Sequence, residues 1–319
     1  MPHSVGSLTA WLVFAVIVVG MLALDLGVFH RDSHAVSVKE AAIWSAVWVG
    51  ISLLFAAGIA WRAGATRATE FLTGYVIEKA LAVDNIFVIA ALFSYFETPP
   101  RYQHRVLYWG IIGAALMRAL FVGAGAALIA RFHFILYVFG VLLIVAGARL
   151  LWQKEDAQAP HGQRRLVRLV RRLLPMTSGL RGSAFWVDGQ EGVKATPLVL
   201  TLVCIEITDV AFAIDSIPAV FAVTTDPFIV LTSNLFAVLG LRSMYFLLAN
   251  AIERLRYLKL GLALILAFVG VRLLLADWVE IPVLVSLGVI GALLLGTVSF
   301  SWLRARRSAA GGTQRRPDG

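Results

Sequence analysis

The chain has 319 residues, 60% of them hydrophobic and only 15% charged, with a mean hydropathy of +0.83. Soluble domains carry roughly 25% charged residues, and a core of this size has no room for so much apolar side chain, so a soluble enzyme, a disordered regulator and a fibrous protein are excluded. The formal charge of +9 does not mark a nucleic-acid partner, because the basic residues lie mostly between long apolar runs. The single cysteine, Cys204, rules out a disulfide framework and a thiolate metal cluster.

Nine runs reach the roughly 20 mostly apolar residues that a bilayer-crossing helix needs. They fall at about 7–29, 41–61, 70–93, 106–130, 133–152, 197–222, 229–250, 258–276 and 281–303. None shows strand-like alternation, and in lipid only helices or closed barrels satisfy their own backbone. No Lys or Arg precedes the first run, which is too long for a signal-peptide core and is expected to be retained. With the amino terminus outside, 20 of the 28 Lys and Arg fall on the inner side. Three fall outside (Arg62, Arg67 and Arg131), a bias that fixes direction under the positive-inside rule. The expected fold is an all-α polytopic membrane protein of about nine transmembrane helices, amino terminus out and carboxyl terminus in. The transmembrane domain covers 1–303, and 304–319 form a short basic cytosolic tail. The composition of a bacterial inner-membrane protein fits this pattern.

Between the fifth and sixth runs, residues 153–196 form a cytosolic connector. Within it QRRLVRLVRRLLP, at 163–175, sets Leu166, Leu169, Val170, Leu173 and Leu174 at helical spacing with arginines on the other face. A helix of that kind over 163–174 suits contact with an anionic inner leaflet. Basic residues that merely orient the chain, with incidental leucines, are the alternative.

The third and sixth runs overlay. Glu78-x5-Asp84-Asn85-Ile86 matches Asp209-x5-Asp215-Ser216-Ile217. Arg118 in the fourth run matches Arg242 in the seventh, and Gly147-Ala148-Arg149-Leu150-Leu151 matches Gly270-Val271-Arg272-Leu273-Leu274. An odd number of spans separates equivalents, which predicts an inverted repeat of three helices, spans 3–5 (about 70–152) against spans 6–8 (about 197–276). Secondary transporters bind their substrates near the midplane between such repeats.

Ionisable groups in a bilayer are costly unless paired or hydrated, so they mark function by default. The runs hold Asp25, Glu78, Lys79, Asp84, Arg118, Arg149, Glu206, Asp209, Asp215, Arg242 and Arg272. Glu78 and Asp84 are about 9 Å apart along one helix, too far to share an ion. Opposed helices then predict two carboxylate tiers, Glu78 with Asp215 and Asp84 with Asp209. Pro218 removes the amide that would bond the Ile214 carbonyl, freeing an oxygen beside Asp215. With Asn85, Asn234, Ser216 and Thr208 the ligand set is all oxygen, which suits Mn²⁺, Mg²⁺ or Ca²⁺. None of the six histidines lies deep in a run, which argues against zinc or copper. The competing reading is a scaffold in which acids and bases pair across helices, Glu78 or Asp84 with Arg118 and Asp215 with Arg242. Against it, most acids crowd onto two helices, and Arg149 and Arg272 near span ends can snorkel to water instead of pairing; Lys79 beside Glu78 would stand in for the cation when the site is empty.

The segments GYVIEKALAVDNIFVIAALF (74–93) and EITDVAFAIDSIPAVFAVTTDPFIVLTSNLFAVLGLRSMYFLLA (206–249) resemble the TerC family of integral membrane proteins, a likeness extending over about 8–303. The resemblance implies a multi-span protein linked to tellurium-ion resistance and manganese export. It carries a metal path onto Glu78, Asp84, Asn85, Glu206, Asp209 and Asp215, with Lys79, Arg118 and Arg242 as supporting charges. The expected function is export of a divalent cation, Mn²⁺ favoured and Ca²⁺ or Mg²⁺ as alternatives, with no permanently bound cofactor and protons as the exchange ion. A non-transporting scaffold for stress-resistance partners is the second expectation. No GxxxxGK[ST], HExxH or GxSxG motif points to an ATPase or an enzyme, and a carboxylate path would repel the tellurite oxyanion.

Overall fold

A computed structural model describes residues 4–29, 37–132, 134–152, 172, 175–177, 179–189, 192–248, 258–279 and 281–311. The side chains of 25–29, Asp84 and those beyond Ser301 lie outside that description, as does the segment 163–174 apart from Arg172. Among the described residues, these helices precede a short hairpin: α1 (Leu8–Phe29), α2 (Val38–Ala63), α3 (Ala65–Tyr95), α4 (Pro100–Arg131) and α5 (Ile135–Trp152). The hairpin pairs β1 (Trp186–Gly189) with β2 (Gly192–Ala195), antiparallel from Trp186 opposite Ala195 to Gly189 opposite Gly192. Five helices follow: α6 (Pro197–Phe221), α7 (Pro227–Leu239), α8 (Leu241–Leu248), α9 (Leu258–Leu274) and α10 (Val283–Gly311).

Among the described residues, α2, α4, α5, α6 and Val283–Ser301 of α10 are long and apolar enough to cross a membrane. A sixth span arises if α7 and α8, bent by 41°, count as one broken helix. The other three expected spans fall short for identifiable reasons. α3 has 31 residues but carries five charges, while the described apolar part of α1 (Leu8–Leu24) and α9 are each too short. Leu54, Leu116, Leu120, Leu284 and Leu295 are all exposed on the outside of the bundle. Apolar surface on that scale is what a lipid-facing protein presents.

Helix ends follow local sequence rules. Ser37 caps α2, its hydroxyl accepting from the Glu40 amide. Gly64, at φ 91°, breaks α2 from α3, so α3 starts at Ala65, earlier than the apolar run alone predicts. Pro100, Pro197 and Pro227 open α4, α6 and α7, where a missing amide is harmless. α6 runs through Pro218 without ending, and α10 continues as helix to Gly311, past the expected boundary at 303.

Long-range contacts fix the helix directions. Glu70 and Gly74 at the start of α3 meet Thr224 and Val220 at the end of α6, while Thr98 after α3 meets Thr201 at the start of α6. α3 and α6 are therefore antiparallel. α4 lies parallel to α6, with Gly110 against Ile205, Gly113 against Glu206 and Gly125 against Phe221. α5 and α9 are antiparallel and very close, because a Cβ on Gly140 would meet Leu274 and the Gly270 carbonyl, and one on Gly147 the Ala263 carbonyl. Small residues at such a contact are how helices approach in lipid, where no hydrophobic drive exists. α7 packs on α3 through Phe71 and on α2 through Phe55, which meet Phe236 and Phe228.

Candidate functional site

Four helices bring charges together at the centre of the bundle. Glu78 projects from α3, Arg118 from α4, Asp209 from α6 and Asn234 from α7. Arg118, Glu78 and Asn234 are fully buried, and Asp209 is 9% exposed. Arg118 Nη1 donates to Glu78 Oε1 and, at 2.6 Å, to Asn234 Oδ1; Nη2 donates to Asp209 Oδ1 at 3.2 Å. Asn234 Nδ2 donates to Glu78 Oε2 at 3.1 Å, which turns its carbonyl oxygen toward the guanidinium. One cation is thus met by oxygens from three other helices.

The network is incomplete. Asp209 Oδ2 and Arg118 Nε are buried without a hydrogen-bond partner among the described residues. Asp209 borders a cavity of ≈20 Å³, room for about one water, lined also by Asn85, Thr208, Gly110 and Ala114. One turn along α6, the Glu206 carboxylate occupies the space that a side chain on Gly113 would take. Any residue but glycine at 113 would displace it. Glu206 forms no hydrogen bond or ion pair among the described residues, and the like-charged Asp209 acts on it from one turn along α6.

A second, larger cavity of ≈790 Å³ lies between α3, α5, α6 and α9. Its polar lining includes Asn85, Arg149, Asp215 and Ser216. Arg149 acts electrostatically on Asp215, and Ser216 Oγ is buried without a hydrogen-bond partner among the described residues. Asn85 borders both cavities and connects the two acidic regions.

Several expectations change here. The forked guanidinium of Arg118 ties Glu78 to Asp209, a pairing across the two helices that the expected tiers did not include. Arg149, exposed near the end of its span, also borders the larger cavity and acts on Asp215, a partner the sequence did not suggest. Lys79 does not stand beside Glu78: its Nζ donates to the Ala237 carbonyl at 3.1 Å, near the end of α7, and lies over the Tyr75 ring. Thr208 bonds back to the Cys204 carbonyl at 2.7 Å, which ties up its hydroxyl hydrogen within its own helix. Arg242 is buried at the start of α8, just past the break at Gly240. Among the described residues no three His, Cys, Asp or Glu side chains converge as a ready metal cage; the Asp84 side chain is outside that set. Gly113 and Gly110 escaped sequence reasoning, since a glycine in an apolar run signals close packing without saying what packs there.

A helical bundle with lipid-type apolar surface and an incompletely paired charged centre is an integral membrane protein. The chain belongs to the TerC family of integral membrane proteins, whose model matches residues 63–309. It is 49% identical over 305 residues to the membrane protein STKORF319 of Myxococcus xanthus, covering 96% of this chain and 95% of that one. Alx of Salmonella typhi and Alx of Escherichia coli K12, each named as a candidate membrane-bound redox modulator, are both 48% identical. Those matches cover 96% and 95% of this chain and 98% of each relative. No solved structure matches the chain.

Proposed function

We propose that this chain is a secondary transporter that exports a divalent cation, Mn²⁺ by preference and Ca²⁺ or Mg²⁺ as alternatives, in exchange for protons. The observation that carries this is the convergence of Glu78 and Asp209, from antiparallel α3 and α6, on one buried position where Asp209 Oδ2 is unpaired. Glu206, Asn85, Asp215 and Asp84 extend the oxygen-rich path on the same two helices. Hard oxygen donors of this kind select Mn²⁺, Mg²⁺ or Ca²⁺ over soft metals. Carboxylates in low dielectric also favour their neutral form once a cation departs, which makes the proton the natural exchange ion.

The accompanying topology has nine spans, with α7 and α8 as one broken span, the amino terminus out and the carboxyl terminus in, in a bacterial inner membrane. Two antiparallel pairs, α3 with α6 and α5 with α9, support an inverted repeat. A broken helix beside the site suits it, since irregular backbone is tolerated at membrane depth where it is enclosed by protein or lines a cavity. The basic segment 163–174 would rest on the anionic inner leaflet. The redox effect named for the Alx relatives would be indirect here, because one cysteine offers no dithiol couple.

A scaffold is the second reading, favoured by the pairing of Arg118 with both Glu78 and Asp209. Mn²⁺ uptake into inside-out vesicles separates the two. Transport by the wild type, and a drop of tenfold or more in Asp209→Asn and Asp215→Asn, is expected. Wild-type rates in both inserted variants would show that the carboxylates are not the path, and a wild type that moves none of the three cations would leave the scaffold.

A further inference from the structure

Arg118 sits where a transported cation is needed. Its guanidinium is held by Glu78 Oε1, Asn234 Oδ1 at 2.6 Å and Asp209 Oδ1 at 3.2 Å, an arrangement of hard oxygens around one positive charge. Two carboxylates face that single arginine, so the described centre carries a net negative charge. Asp209 Oδ2 is a buried acceptor with no donor, aimed into a site already holding a cation that does not use it.

The surroundings also give Arg118 another position. α4 and α6 run parallel, and Gly110 and Ala114 of α4 border the ≈20 Å³ cavity beside Asp209, with Gly110 also against the Glu206 carboxylate. At the end of that gap, one turn along α6, lies Glu206, half-buried and without a basic partner among the described residues. An arginine on a long stem can pivot between carboxylates one turn apart without moving its helix.

We propose that Arg118 is a tethered counter-cation: it offsets part of the charge of Glu78 and Asp209 when the site is empty, and an incoming divalent cation displaces it onto Glu206. This rests on the transport reading above and adds how the empty carrier is kept compact. A dication on Glu78 and Asp209 is charge-balanced, and the released guanidinium is balanced by Glu206. The buried guanidinium is then paired with carboxylate in both the empty and the loaded carrier, and is never left alone in low dielectric as the carrier crosses between its two conformations. Lys79 plays no part, since it is committed to the α7 carbonyl.

The test is Mn²⁺ binding to the purified full chain in detergent, followed by the loss of the free-ion paramagnetic resonance signal, alongside exchange in vesicles. Arg118→Gln keeps length and loses charge. It is expected to bind Mn²⁺ at least tenfold more tightly than wild type while exchange falls at least tenfold, because the vacant carrier no longer returns. Glu206→Gln removes the second berth and is expected to weaken Mn²⁺ binding by tenfold or more. Arg118→Lys, which restores a charge, returns binding toward the wild-type value. If monodisperse Arg118→Gln binds Mn²⁺ no better than wild type, Arg118 is a strut and the proposal is wrong, although wild-type binding and transport would leave the transport reading standing. If neither protein binds Mn²⁺, Mg²⁺ or Ca²⁺, both fail together.

Discussion

Two polar clusters in this molecule contain acids of the same type and behave differently. At the end of the bundle near Ser4, Asp226 accepts from Ser4 Oγ at 2.8 Å, from the Val5 amide at 2.7 Å and from the Phe228 amide at 2.9 Å, capping α7. Beside it Glu70 accepts from Arg67 at 2.9 Å and from Thr224 at 2.8 Å. Both carboxylates are satisfied by hydroxyls, amides and a neighbouring arginine, and the cluster ties the amino-terminal segment to three helix ends. At the centre, Glu78 and Asp209 draw their arginine from a different helix, and a carboxylate oxygen and a guanidinium nitrogen are left over. Closed networks hold structure together. Open ones, at depth, store charge that a mobile ligand can use.

The largest expected effect breaks the open network. Arg118→Gln in the presence of a chelator leaves two buried carboxylates facing each other, and loss of one partner of a buried ion pair costs about 3–5 kcal/mol. Unfolding in mixed micelles measures this. The double variant Glu78→Gln with Arg118→Gln is expected to lose less than Arg118→Gln alone, since the charge left behind is smaller; an equal or larger loss would mean that Glu78 and Arg118 are not coupled. At the closed cluster the expected loss is smaller. Asp226→Ala removes a helix cap and the anchor of Ser4, costing about 1–2 kcal/mol, with transport rates unchanged. A collapse in transport with intact insertion would erase the distinction between the two clusters.

How much of this was legible beforehand depends on range. The apolar runs located the helices, and the acids of α3 and α6 stood out because charge in such runs is rare. Pairing was not legible. Lys79 is adjacent to Glu78 in sequence, yet consecutive helix positions point about 100° apart, so Lys79 faces α7 and Glu78 faces Arg118, 40 residues away. Arg149 is exposed near the end of its span, as snorkelling predicts, but only the packing of α5 beside α6 puts it on the cavity shared with Asp215. The β1–β2 hairpin lies in a connector whose basic residues drew attention away from the short alternation at Trp186–Ala195. The break at Gly240 was hidden inside one apolar run. A side chain there would collide with Lys79 and Trp48, a constraint imposed from two other helices.

Hydroxyls on α6 carry the comparison to its finest scale. Thr208 and Ser216 belong to the same oxygen-rich set by sequence, but Thr208 spends its hydrogen on the Cys204 carbonyl one turn back, as Ser52 does on Trp48. Ser216 Oγ makes no such bond, although it is 2% exposed and borders the ≈790 Å³ cavity beside Asp215. A buried hydroxyl without a partner contributes nothing to the fold, so Ser216→Ala is expected to change stability by no more than about 0.5 kcal/mol, in either direction. On the proposed transport reading, with Ser216 bordering the cavity, the concentration of Mn²⁺ giving half-maximal transport should rise several-fold. Thr208→Ala is expected to leave that concentration unchanged. Equal effects of the two substitutions on transport would place the larger cavity outside the route of the cation, and would confine the path to the α3–α4–α6 centre around Arg118.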